Sequence, residues 1–305
     1  MPPSPTTHGN DPPDFGRLLR DCRRGRRLSQ LELALRADVS QRHLSFLESG
    51  RAQPSREMVL QLAETLDLPL RERNRLLFAA GYAGLYPQRP LEAPDMQPAL
   101  QALDLLLRHH EPYPAVVVDR AWNLLRANAV AGPLLGALGA DDAMWHAVGG
   151  DAPRNLLKLM LHERGLRARI ANFDAIAPPL LARTAREALE HPAVAAVLDE
   201  VLRDPGLPRH WRQIDLCRPS LPVLPTEFVI GTQRVRLFSM LTTFGTPLDV
   251  TADELRVESF FPADDASDAL LRALARQGTP RRGTFHRWRE RAEATVIAAN
   301  PPART

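Results

Sequence analysis

The organisation of this chain is clearest in residues 29–69, which read SQLELALRADVSQRHLSFLESGRAQPSREMVLQLAETLDLP. Ser29 and Ser40 each precede a run of apolar residues with helical spacing, so each is predicted to cap a helix N-terminus. Glu32 stands three residues after Ser29 and completes a capping box. The stretch therefore predicts two short helices separated by a three-residue break at 37–39.

Helical patterns on both sides of this stretch extend it to an all-α unit of five helices over residues 14–84. Apolar residues spaced for one helix face define the expected core. These are Phe15, Leu18, Leu19 and Cys22 in the first helix, Leu31, Ala34 and Leu35 in the second, Leu44 and Leu47 in the third, and Met58, Leu62, Ala63 and Leu66 in the fourth. A fifth helix is expected from Leu70 to Tyr82.

The chain changes character after residue 84. The proline-rich stretch 85–97 is interpreted as an extended linker, and 98–276 as a second domain with an α+β pattern. That pattern comprises a helix ending at His109, strands near 115–118 and 122–126, a short helix opened by Asn128, a helical middle at 153–203, an antiparallel meander at Val223–Ile230, Gln233–Phe244 and Glu254–Phe261, and a closing helix at 264–276. Residues 1–13 are expected to be disordered, and 277–305 to form a tail.

Alternation along 233–244 predicts which face of this sheet is buried. Leu237 and Leu241 share the face that should pack on helices, and Arg236 is expected to pair across strands with Glu258. Phe238 and Met240 point the other way, where the helix at 96–109 or a second subunit should cover them.

Composition bounds the class of protein. A chain of 305 residues with 44% hydrophobic and 25% charged content fits about two globular domains. It has neither an apolar run of about 18 residues nor an apolar N-terminal signal, so membrane insertion and export are not expected. The expected compartment is the cytoplasm. Cys22 and Cys217 are too far apart in sequence to suggest a disulfide framework or a cysteine zinc site.

Positive charge is concentrated near the N-terminus. The net charge is a modest +3, yet six arginines fall within eleven residues against one acid, Asp21. They are Arg17, Arg20, Arg23, Arg24, Arg26 and Arg27. A local basic block of this kind fits a polyanionic partner.

The first domain resembles the phage-repressor-like, or XRE-type, helix-turn-helix domain. The shared pattern is Ser29-Gln30-x-Glu32-Leu33-Ala34, Val39-Ser40, Leu47-Glu48-Ser49-Gly50-Arg51, Pro54-Ser55 and Leu62-Ala63 with Leu66, without a gap. Phe46 and Leu47 depart from the family, which often has a polar residue followed by Ile or Trp there. The resemblance implies that the third helix enters the major groove of a double-stranded DNA operator.

Roles at the DNA follow from that resemblance by position. The candidates are Ser40, Gln41, Arg42, His43 and Ser45 at the groove, Gln30 at a phosphate or the first base pair, and Arg51 and Arg27 at the backbone. Glutamine fits adenine edges and arginine fits guanine. The alternatives are an Arg42 that contacts phosphate alone and a His43 that is merely solvated. Arg23, Arg24, Arg26 and Arg27 are each expected to contact phosphate or form a solvated face.

The second domain resembles a PAS-type sensor, and more specifically the MmyB-type ligand-binding domain that follows XRE-type heads. The resemblance rests on 112–135, within which WNLLRANAVAGPLLG begins at Trp122, and on VRLFSMLTTFGTPLDVTADELRVESFFPAD at 235–264. It implies a PAS-like pocket for a small apolar, fatty-acid-like effector, with no other cofactor. The candidate lining residues are Trp122, Trp145, Phe173 and Trp211, each with a plain core role as its alternative.

Enzymatic interpretations fail on the residues present. The self-cleaving peptidase of some repressors needs a serine upstream of its lysine, but the sole lysine is Lys158 and no serine lies between Ser55 and Ser220. His110-Glu111 lacks the second histidine of a metallopeptidase motif, and no metal site is expected.

Three functions remain open, of which the third is an enzyme of unknown class that would require turnover abolished by changing a buried polar residue. The first is a ligand-responsive transcription regulator, homodimeric and associated with the nucleoid when bound to DNA. The second is an antitoxin-like module that binds DNA and a protein partner and takes no small molecule. A retained lipid-like ligand would favour the first.

Overall fold

The computed structural model describes residues 14–189, 191–212, 214 and 223–277, which form two compact units. The first unit runs to Pro90 and also contains Thr246–Asp253, which the sequence analysis assigned to the second domain. The remaining described residues, between 91 and 245 and between 254 and 277, form the second unit. The expected N-terminal tail, Cys217 and the chain beyond Gln277 lie outside the described residues. Within the described part, every helix is too short or too polar to span a membrane.

The first unit contains the five predicted helices. They are α1 (Phe15–Gly25), α2 (Gln30–Arg36), α3 (Gln41–Glu48), α4 (Arg56–Thr65) and α5 (Leu70–Ala79). The predicted caps are confirmed: the Ser29 hydroxyl accepts from the Glu32 N–H, and the Glu32 carboxylate accepts from the Ser29 N–H. The Ser40 hydroxyl accepts from the His43 N–H at 3.1 Å. These bonds satisfy amides that a helix N-terminus leaves unpaired.

The core face of α2 differs from the prediction. Leu33 and Ala34 are buried, whereas Leu31 is 50% and Leu35 is 72% exposed. Each of these two leucines is two residues from Leu33 and therefore lies about 200° around the helix from it. Because Leu33 faces the core, Leu31 and Leu35 lie on the opposite side of the helix.

The second unit combines helices with one sheet. Its helices are α6 (Gln97–His109), α7 (Ala131–Ala137), α8 (Asp142–Gly149), α9 (Leu156–Leu161), α10 (Phe173–Ala188), α11 (Pro192–Arg203) and α13 (Asp265–Gln277), while α12 (Val250–Glu254) lies in the connection between two strands. The strands are β1 (Ala115–Val118), β2 (Leu124–Ala127), β3 (Thr226–Ile230), β4 (Gln233–Thr242) and β5 (Arg256–Pro262). All pairs are antiparallel, in the order β2-β1-β5-β4-β3. The predicted PAS-like α+β architecture is confirmed.

Both faces of the inner strand β1 are buried. Val116 and Val118 belong to the large core of the second unit, whereas Ala115 and Val117 belong to a smaller core with Leu103 of α6. This double burial explains the uninterrupted apolar run of the strand. The side chain of Asn128 is also buried, and its Oδ1 accepts from the backbone N–H groups of Ala115 and Ala131, so it joins the sheet to the start of α7.

The register of β4 corrects one predicted pair. Glu227 on β3 lies opposite Arg236, and the Arg236 Nε is 3.2 Å from its carboxylate. Glu258 lies opposite Leu241 instead. The predicted Arg236–Glu258 pair is wrong because these residues occupy opposite faces of the sheet.

The predicted burial of Leu237 is confirmed, since it lies in the core of the second unit at 2% exposure. On the other face, the ring of Phe238 stacks on Phe261 with centroids 5.3 Å apart. Met240, for which the sequence predicted cover, is 58% exposed.

Candidate functional site

The turn between α2 and α3 sets the angle between these two helices. Asp38 adopts a left-handed φ of 51°, a conformation that Asp tolerates better than most side chains. The Val39 N–H then donates to the Ala34 carbonyl at 2.9 Å. Ala34 is 2% exposed, so its small side chain lies within the helix packing beside the turn. The result is a helix, a tight turn and a second helix.

Helix α3 separates a buried face from a polar one. Leu44, Leu47 and Glu48 are buried. Gln41 and Arg42 are exposed, and His43 and Ser45 are half-buried. The Arg42 guanidinium lies 5.4 Å from the ring centroid of Phe46, one turn further along the helix. Polar side chains able to meet base edges thus lie on the accessible side of α3.

A buried carboxylate joins α3 to the two preceding helices. Arg23 of α1 donates to the two Glu48 oxygens at 2.6 and 2.8 Å. Gln30 of α2 donates to Glu48 Oε2 at 2.8 Å, and Arg20 donates to the Glu48 backbone carbonyl at 2.6 Å. Burial alone would raise the pKa of the Glu48 carboxyl, but the hydrogen bonds from Arg23 and Gln30 outweigh it and hold the pKa below its ordinary value.

This network determines how Gln30 is presented. Its side-chain NH₂ donates to Glu48, so the orientation of the amide is set within the protein. Sequence reasoning missed the link because Gln30 and Glu48 are eighteen residues apart. No local pattern encodes that contact.

The basic block divides into structural and accessible arginines. Arg23 is 8% exposed and paired with Glu48, so the expectation of a phosphate contact or a solvated face is wrong for this residue. Arg26 donates to the backbone carbonyls of Leu66 and Asp67, beyond the end of α4. The exposed members are Arg17, Arg24 and Arg27, and Arg51 is exposed beyond α3. A sequence signal for Arg23 existed, since it continues the buried Phe15–Leu19 stripe at four-residue steps.

The four aromatic candidates of the second unit all lie in its large core. Trp122, Trp145, Phe173 and Trp211 are between 5% and 8% exposed. The rings of Phe173 and Trp211 are 5.4 Å apart between centroids. Among the residues that the structure describes, the buried indole N–H groups of Trp122 and Trp145 have no hydrogen-bond partner. Unpaired buried donors of this kind are uncommon and call for an explanation.

Trp122 also has an unusual backbone. Its φ is 69°, in the left-handed region that bulky residues rarely occupy, and it stands in the turn between β1 and β2. The guanidinium groups of Arg183 and Arg256 lie 5.1 and 5.9 Å from its ring centroid. The Trp122 indole therefore stands on a strained turn and has two guanidinium groups near its ring.

A cavity of about 230 Å³ lies elsewhere in this unit. Its lining is Val148, Lys158, His162, Glu200, Val201, Arg203 and Asp204, and Lys158 and Glu200 form an ion pair. None of the four aromatic candidates lines this cavity. The polar lining is unlike the apolar pocket that the sequence predicted.

A helix-turn-helix unit with an accessible polar helix, joined to an α+β unit with a PAS-like sheet, defines a DNA-binding transcription regulator with a separate sensor domain. Residues 99–274 match the MmyB-like transcription regulator ligand binding domain, and residues 19–73 match the helix-turn-helix family. Since the first match spans more than half of the chain, the protein belongs to the MmyB-like transcription regulators. No curated protein matches the chain.

Proposed function

We propose that this regulator binds a specific operator as a homodimer and responds to a small apolar, fatty-acid-like effector held in its second unit. The observation that carries the effector is the pair of unpaired indole N–H groups, on Trp122 and Trp145, which both belong to the large hydrophobic core of this unit. A buried donor without a partner costs about 1–3 kcal/mol. A bound molecule with an apolar body and one acceptor group would recover that cost.

Sequence recognition is assigned to the polar face of α3. Gln41, Arg42, His43 and Ser45 are proposed to meet base edges beside their cap Ser40, with Gln30 held by Glu48 at the edge of the site. The exposed Arg27 and Arg51 are proposed to contact phosphates, which supply affinity without sequence information.

Dimerisation follows from the small reach of a single recognition helix. One such helix covers a few base pairs, whereas paired helices placed about 34 Å apart read two successive major grooves. Small-angle scattering of the full chain with and without a selected duplex tests this. Two chains per duplex are expected, and one chain per duplex at saturation would contradict the proposal.

Native mass spectrometry of the purified full chain tests the effector. A retained small molecule is expected, and extraction followed by addition of dodecanoic acid should change the tryptophan fluorescence. The conservative variants Trp122→Phe and Trp145→Phe remove the indole donors at little cost in volume and should weaken the binding of dodecanoic acid. Trp211→Phe is the matched control, because the Trp211 indole is not one of the unpaired donors.

The effector proposal would be contradicted if the second unit retained no small molecule and dodecanoic acid left the tryptophan fluorescence unchanged. The antitoxin-like alternative would then gain support if a protein partner co-purified in fixed stoichiometry. If the protein without an effector still bound its operator, the DNA-binding part of the proposal would stand.

A further inference from the structure

Residues 246–253, named the strap here, connect β4 to β5 but form part of the first unit. The Val250 N–H donates to the Pro87 carbonyl at 2.9 Å, and the Thr251 hydroxyl donates to the Arg89 carbonyl at 2.6 Å. The Arg89 guanidinium donates to the Asp249 carboxylate at 3.1 Å. Within the strap, the Val250 side chain is buried at 1% exposure, whereas that of Leu248 is 77% exposed.

The strap also completes helix α5 of the DNA-binding unit. Pro69 stands at the N-cap of α5 and makes no side-chain capping bond. The first-turn N–H of Leu70 instead donates to Asp253 Oδ2 at 3.3 Å, across 183 residues of sequence. A carboxylate at this position satisfies a helix-terminal amide and interacts favourably with the helix dipole. Further along α5, Leu76 and Leu77 are fully buried in the core of the same unit.

The other side of the strap is tied to the sheet through the chain itself. Two residues separate Asp253 from Arg256, the first residue of β5. Arg256 pairs with Glu187 at 2.9 Å and lies over the ring of Trp122, while Val257 is buried in the smaller core. Only a few rotatable backbone bonds therefore separate β5 from Asp253, so a displacement of β5 should also move the Asp253 carboxylate that caps α5.

We propose that the strap transmits structural changes in the β4–β5 part of the sensor sheet to helix α5 of the DNA-binding unit. The inference rests on the proposed function in one respect, since the bound effector is what would displace the sheet in the natural protein. The route itself is defined by the strap contacts. Release of Asp253 would remove the acceptor that caps the first turn of α5, and release of Asp249 would break the bond from Arg89 that holds the strap. Helix α5 packs on α4 and α1, so a loosened first turn would alter the support of the helix-turn-helix.

Hydrogen exchange of the full chain tests the route without any effector. Val257→Ala perturbs β5, and exchange is then followed in the first turn of α5. With the native strap, we expect this substitution to speed the exchange of those amides about threefold or more. In the background Asp249→Ala/Asp253→Ala, which removes both strap acceptors, Val257→Ala should leave their exchange unchanged.

The matched control is Asp249→Asn/Asp253→Asn, which keeps an acceptor oxygen at each position and should restore the response. The proposal is overturned if Val257→Ala does not change α5 exchange with the native strap, or changes it equally when the carboxylates of Asp249 and Asp253 are removed. Should Val257→Ala fail to fold, Val117→Ala perturbs the partner residue on β1 in the same cycle. No ligand is used in the hydrogen-exchange experiment, so a negative result there would not contradict the proposed effector. Equally, a failure to bind dodecanoic acid would not contradict the proposed role of the strap.

Discussion

At the scale of single residues, the buried Glu48 carboxylate joins three helices of the DNA-binding unit. It is 2% exposed and accepts hydrogen bonds from Arg23 and Gln30, which come from α1 and α2. Paired buried charges are tolerated because the hydrogen bonds offset desolvation, and an unpaired one is costly. Glu48 therefore holds α3 against both earlier helices while orienting a candidate DNA-contact residue.

Glu48→Gln should destabilise the full chain by about 3–5 kcal/mol, because it leaves the buried Arg23 without a counter-charge. The unfolding free energy of the first unit, measured by chemical denaturation of the full chain, checks this prediction. Glu64→Gln removes an exposed acid of α4 and should change stability by less than about 0.5 kcal/mol. Equal changes in unfolding free energy for the two substitutions would show that the Arg23–Glu48 pair does not stabilise the first unit.

Arg42→Ala should reduce discrimination between the selected operator and point-mutated operators by about 1–3 kcal/mol at one base pair, if Arg42 reads a guanine edge. Binding isotherms on both DNA classes measure this. Arg51→Ala serves as the comparison and should weaken all duplexes alike while lowering the salt slope by about 1. An Arg42→Ala variant that behaves like Arg51→Ala would assign Arg42 to phosphate.

At the scale of elements, the crossing of α1 over α3 depends on a residue without a side chain. A Cβ on Gly16 would lie 2.6 Å from the Leu47 carbonyl oxygen and 2.7 Å from that of Glu48. Backbone atoms cannot yield as a flexible side chain would, so the helices could not keep this separation. The close approach lets Arg23 and Glu48 meet.

Gly16→Ala should cost about 1–3 kcal/mol in unfolding free energy, because the two helices must move apart. Gly25→Ala, at the end of α1, is the matched control, since its added Cβ meets nothing within 4 Å. That control should be neutral or stabilise the protein by up to about 1 kcal/mol, because Ala favours helix. Thermal denaturation of both variants decides whether the α1–α3 crossing is as tight as described.

At the scale of the whole molecule, stability in mild acid is expected to depend on the second unit. His191 is buried before α11, and its Nε2 lies 2.6 Å from an Arg120 nitrogen that can only donate, so Nε2 is the acceptor and the ring is neutral. Burial and the positive charges of Arg120 and Arg256 lower the pKa of His191 to about 4. The unfolded chain takes up this proton near pH 6.5, well before the folded chain does.

Folding stability should therefore fall as the pH drops from about 6.5 to 4, by at most about 3 kcal/mol from this histidine. Above pH 6.5 its contribution is fully present and constant. Denaturation midpoints across that range measure the slope, and His191→Gln should flatten it without adding a charge. An unchanged slope in the variant would mean that His191 does not carry the pH dependence.

Prediction from sequence succeeded for most local features, although the predicted core face of α2 was wrong at Leu31 and Leu35. The capping serines Ser29 and Ser40 each satisfy an amide three residues away, and the strands of the meander follow one another along the chain. The pairing of Arg236 failed because strand register depends on where each strand starts, which alternation alone does not specify. For the site, the polar residues of α3 follow from helical spacing, while their contacts with DNA stay predictions.

By itself the sequence determined an all-α unit with two capped helices around a tight turn, followed by an α+β unit, because caps and periodicity act over a few residues. The PAS-like character of the second unit was implied by its resemblance to a known family. Tertiary structure alone decided that Arg23 is a buried partner of Glu48, that Gln30 is held by the same carboxylate, and that Asp253 caps α5. These contacts join residues 18 to 183 positions apart. Their free energy depends on burial and on distances that exist once the helices and strands have packed, so no pattern along the chain encodes them.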